Sequence, residues 1–152
     1  MPIIWRHQLT TGDERIDQDH KYLFAIFNCV ELALSSPDQI RHLPLFFKQL
    51  FDYTEEHFLR EEKLQFSIGY PGYLEHKIAH QRILERLKEV NDHLQAIAAS
   101  ESGLNDPEAL RAGLDKEILD LARSWIVGHI AKMDTAMLPY LKQSHVGVKI
   151  KS

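Results

Sequence analysis

At 152 residues, with 44% hydrophobic content, the chain fits one domain with a real core, and no second domain is expected. A formal charge of −4 without a Lys/Arg cluster argues against nucleic-acid binding. No run approaches the ~20 apolar residues of a membrane span, and the N-terminus lacks a basic region followed by an apolar one, so a soluble cytoplasmic protein is expected. The chain reads as four helices in order. The segment 17–36 carries Leu23, Phe24, Phe27, Val30 and Leu34 on one stripe and stops before Pro37. The segment 44–67 opens at Pro44 and ends near Gly69, Pro71 and Gly72. The segment 72–100 repeats apolar residues at Ile83, Leu87, Val90, Leu94 and Ile97. The segment 107–130 follows Pro107, with Leu114, Ile118, Leu121 and Trp125 on its stripe. An all-α, antiparallel up-down four-helix bundle follows, covering residues 1–145, with 146–152 as a loose tail. Cys29 cannot form an internal disulfide, and its apolar neighbours suggest a buried thiol.

Nine histidines are more than such a chain needs. His57 and Glu61 share one face of the second helix, and His76 and His80 share one face of the third. His20 lies early in the first helix and His129 late in the fourth, so an up-down bundle brings all five imidazoles to one end. An H-x-x-x-H pair alone is weak, and H-x-x-x-E alone is an ordinary solvated face. Four helices presenting ligands at one level are not readily accidental, and they point to a metal inside the bundle. His7, His42, His93 and His145 have no such partners and read as surface residues. Five imidazoles and a carboxylate exceed one four-coordinate site, so more than one ion is expected. Asp134 follows His129 by five residues, a step that leaves one face of a regular helix. The chain is therefore expected to turn out of the fourth helix before "MDTAMLPYL" and to point Asp134 inward from there.

The motifs "IDQDHKYLF", "HFLREE", "YPGYLEHKIAH" and "WIVGHIAKMD" together resemble a bacterial hemerythrin, over a match running from about Trp5 to Asp134. The resemblance implies two non-haem Fe ions with an oxo or hydroxo bridge. It assigns His76, His80 and His129 to one iron, His20 and His57 to the other, and Glu61 and Asp134 as bridges. It also implies an oxygen pocket lined by Leu23, Trp125 and Ile126. Two departures stand out: Asp19 where the family usually has Gln, and Gln65 where it usually has Met. Asp19 reads as a solvated helix-start carboxylate or as the acceptor of the free ring N–H of His20. The connection around 98–110 also looks longer than usual.

Two roughly octahedral irons offer about twelve positions, of which these ligands and a solvent bridge fill about eleven. The open one falls on the two-histidine iron, where dioxygen, nitric oxide or an azide-like anion would bind. Reversible dioxygen binding for storage, delivery or sensing is expected, rather than catalysis. The alternatives are a di-iron enzyme acting on peroxide or nitric oxide, or a redox sensor signalling to a partner protein. No Glu-x-x-His occurs in the chain, which weighs against oxygenase chemistry of the carboxylate-rich bundles.

Overall fold

A computed structural model describes residues 2–100 and 107–142. The expected tail at 146–152, His145 and most of the connection after α3 lie outside the described residues. Four long helices carry the architecture: α1 (Glu14–Ser35), α2 (Leu43–Ser67), α3 (Tyr73–Ala99) and α4 (Pro107–Arg123). Among the described residues there is no strand. Contacts run from α1 to α2, α2 to α3, α3 to α4 and α4 back to α1, which closes the bundle.

The ends of the helices follow from local chemistry. Asp13 caps α1 by accepting the backbone N–H of Ile16 at 2.9 Å, so the helix begins a turn earlier than its apolar stripe suggests. Gly12 precedes it with φ 99°, and a Cβ there would meet Leu138 Cδ1 at 2.8 Å. Glycine thus serves both the left-handed backbone and the close approach of the C-terminal segment. At the end of α2, Gly69 takes φ 64° while the N–H of Tyr70 donates to the Gln65 carbonyl at 2.9 Å. The chain reverses within a few residues and enters α3 already antiparallel to α2.

Beyond α4 the structure corrects the expectation for the last helix. The chain does not turn out of it; Ser124–Asp134 continues it as a π-helical segment, followed by a short 3-10 turn at Thr135–Met137. Bonding from i to i+5 widens the turn, so a residue five positions on returns to the same face. That wider turn is how His129 and Asp134 both face inward.

The apolar stripes are buried as their spacing predicts, from Phe24, Phe27, Val30 and Leu34 on α1 to Leu87 and Leu94 on α3 and Leu114, Ile118 and Leu121 on α4. Phe47 and Leu50 fill the space from α2. Cys29 is exposed rather than buried, because it stands off the α1 stripe despite its apolar neighbours in sequence.

Candidate metal centre

The seven polar residues singled out in the sequence converge at one end of the bundle. His20 comes from α1, His57 and Glu61 from α2, His76 and His80 from α3, and His129 and Asp134 from the π-helical segment. All seven are buried. Their donor atoms fall into two groups: Glu61, His76, His80, His129 and Asp134 in one, and His20, His57, Glu61 and Asp134 in the other. Both carboxylates belong to both groups.

The distances show how that sharing works. Glu61 Oε1 lies 2.6 Å from His76 Nε2 and 3.8 Å from His80 Nε2, whereas Oε2 lies 3.0 Å from His57 Nε2 and 3.9 Å from His20 Nε2. Asp134 Oδ1 lies 2.8 Å from His76 Nε2 and 3.0 Å from His129 Nε2, and Oδ2 lies 3.0 Å from His20 Nε2. Each carboxylate therefore turns one oxygen to each side. The separations are short, yet both oxygens of Glu61 and Asp134, and Nε2 of His76, His80 and His129, have no aligned hydrogen-bond partner. A buried polar atom left unpaired costs about 1–3 kcal/mol, and more when charged. So many orphaned acceptors facing one another are unfavourable unless cations lie among them. Imidazole nitrogens with carboxylate oxygens form a donor set that suits iron, and the residues present fit a pair of such ions.

The electrostatics agree. Burial disfavours a charge on His57, but its hydrogen bond to Asp19 and the nearby Glu61 carboxylate outweigh that and raise its pKa to about 9. Burial likewise opposes charging His76, and the carboxylates of Asp134 and Glu61 lift it to about 9. His80 goes the other way, pushed well below the usual imidazole range by burial and by its neighbours His76 and His129. Burial would raise Asp134, but His129, His20 and His76 hold its carboxyl well below the usual carboxylate range.

Around this cluster the structure corrects the reading of Asp19 and adds Tyr53, Phe58 and Arg60, which the sequence left unread. Neither expectation for Asp19 holds: it is buried, and it accepts from His57 rather than from His20. The His57 Nδ1–H donates to Asp19 Oδ2 at 3.0 Å, Arg60 donates through Nε at 2.9 Å and Nη2 at 3.0 Å, and the Tyr53 hydroxyl donates at 2.6 Å. Against the pull of burial, these donors hold the Asp19 carboxyl well below its ordinary range, while burial and the neighbouring Asp19 carboxylate push the Tyr53 phenol up to about 12. His20 Nδ1, by contrast, has no partner. Phe58 stacks on the His80 ring at 3.7 Å and 5°, which fixes that ring's plane. Gln65 is buried one turn below Glu61 and donates to Met137 Sδ at 3.1 Å. Tyr53 stands four residues before His57 and Arg60 three after it, so helical spacing was the available signal for both.

Leu23 and Trp125 are fully buried members of the core cluster, and Trp125 meets Phe27 and Phe58 edge-on at 5.2 and 5.7 Å. The side chain of Ile126 lies outside the described residues. His7 and His93 are exposed and His42 is half-buried. Among the described residues no helix is long and apolar enough to cross a membrane.

Comparison with known proteins agrees with this geometry. Residues 11–141 match the family model described as the hemerythrin HHE cation binding domain. The chain is 28% identical over 134 residues to myohemerythrin-1 of Phascolopsis gouldii, covering 88% of this chain and 89% of that one. It is 28% identical to the myohemerythrin of Sipunculus nudus, covering 88% of each. It is also 27% identical over 140 residues to a bacteriohemerythrin of Stenotrophomonas maltophilia, covering 92% of this chain and 82% of that one.

Proposed function

The chain belongs to the hemerythrin family, and on that premise we propose that its buried cluster holds two non-haem irons and binds dioxygen reversibly. The observation that carries this reading is the division of Glu61 and Asp134, each with one oxygen toward the group of His76, His80 and His129 and the other toward the group of His20 and His57. His76, His80 and His129 would hold one iron and His20 and His57 the other, with both carboxylates and a solvent-derived oxo or hydroxo group as bridges. Such a pair, when bound, supplies two electrons to a small oxidant and takes them back on release.

The protein's part is to orient, to keep the site dry and to limit reaction. The smaller imidazole count on the His20–His57 side leaves room there for dioxygen, or for nitric oxide or an azide-like anion. Leu23 and Trp125 would line that side; an apolar lining keeps out water and protons, which restrains irreversible oxidation. Neutral imidazoles bring less negative charge than a carboxylate-rich set, which favours the ferrous state and binding over O–O cleavage. The role is that of a store or carrier of dioxygen in the cytoplasm. Anaerobic reduction followed by optical titration with dioxygen tests it. One dioxygen taken up per chain and recovered under vacuum is the expected result; turnover of peroxide or nitric oxide without reversible uptake would overturn it.

A further inference from the structure

The two imidazoles on the open side are supported unequally. His20 Nδ1 is buried without a partner, whereas His57 Nδ1 donates to a carboxylate that is itself fixed by three other hydrogen bonds. Arg60 grips Asp19 with two nitrogens, a planar fork matched to a carboxylate, and the Tyr53 hydroxyl closes the remaining side. Arg60 also lies over the Tyr53 ring, 5.4 Å from its centroid, and Tyr22 packs on the same ring at 4.4 Å. Asp19 cannot rotate away without breaking several charge-assisted bonds.

We propose that Asp19 is a positioning residue for the two-histidine iron: it keeps the proton of His57 on Nδ1, aims Nε2 into the cluster and makes His57 the firmer of the two imidazole donors there. Arg60 and Tyr53 act through Asp19, by fixing the carboxylate. This inference rests on the di-iron reading. A carboxylate behind a ligating imidazole raises its basicity and steadies the ring, and loss of such a partner typically costs 10–100-fold in metal affinity. The effect should fall on one iron of the pair, because Asp19 touches a histidine of one group and none of the other.

The test is release of iron from the reduced, anaerobic holoprotein to a ferrous chelator. In Asp19→Asn, one iron per chain should leave about 10–100-fold faster than in the parent and the second near the parent rate. Arg60→Gln should accelerate the same iron by less, and Arg15→Gln, whose exposed side chain reaches Asp19 at 3.5 Å, should change nothing. The reduction potential of the pair should rise in Asp19→Asn, a tenfold change in the one-electron equilibrium being 59 mV. Equal acceleration of both irons, or parent-like release in Asp19→Asn, would overturn the proposal. If Asp19→Asn does not fold, Arg60→Gln decides alone: selective release of one iron supports the proposal, and parent-like release or equal loss of both overturns it. A parent protein that binds fewer than two irons would instead overturn the di-iron reading, and the inference with it.

Discussion

The two ends of this bundle are equally dry and differ in what holds them. At one end Leu50, Leu87, Leu94 and Leu114 are fully covered; at the other Glu61, Asp134, His20 and His57 are covered as completely, each at 0% exposure. The apolar end is stable on its own terms, because burial of carbon is favourable without a directed partner. The polar end buries acceptors that face each other unpaired, so it depends on what lies between them. Helical periodicity places residues inside without distinguishing the two cases. Chemistry of the buried atoms makes the difference.

The sharpest break between the ends is removal of a donor. His76→Ala or His80→Ala should take iron content below two per chain, and His76→Ala should cost about 3–5 kcal/mol, the scale for leaving a buried charge uncompensated. Elemental analysis beside thermal unfolding checks both. Next in size is a matched pair of cavities. Leu23→Ala and Leu94→Ala should each cost about 2–5 kcal/mol, both side chains being fully buried. Iron content should stay near two in both, but only Leu23→Ala should speed oxidation in air and azide entry, followed optically. Equal acceleration in both would mean that the bundle loosens as a whole.

Protons give a finer distinction. Without metal, His57 and His76 stand at about 9, above their ordinary 6.5. The attraction of the nearby carboxylates for these two rings when charged therefore contributes stability that is fully present below pH 6.5 and is lost as the pH rises through 9. Ligation needs both rings neutral, so iron uptake near neutral pH should release roughly two more protons per chain than uptake above pH ~10. Potentiometry during anaerobic ferrous addition reads that difference. The smallest effect belongs to His93→Ala: His93 is exposed, and its loss should leave iron content unchanged and stability within about 0.5 kcal/mol.

The same contrast governs what was legible in the sequence. The stripes of α1, α3 and α4 are recoverable because each depends on one helix's own period; His20, His76 and His80 fall on those faces, and His57 falls with Glu61 on one face of α2. Asp134 was placed inside for a wrong reason: a five-residue step leaves the face of an α-helix, and nothing local announced the wider π-helical turn that restores it. In sequence Asp19 reads as a solvated carboxylate or as the acceptor for the adjacent His20, whereas its partners are His57, Arg60 and Tyr53 on another helix. Which carboxylate backs which imidazole depends on the rotation of α1 against α2, a tertiary fact without a sequence period. Cys29 failed for the opposite reason, since apolar neighbours in sequence were read as neighbours in space.

Elemental analysis of protein purified after iron-replete expression tests the central claim most directly. Two carboxylates shared between two groups of imidazoles predict two irons per chain with at most traces of zinc. A single metal per chain, or stable zinc in place of iron, would contradict it.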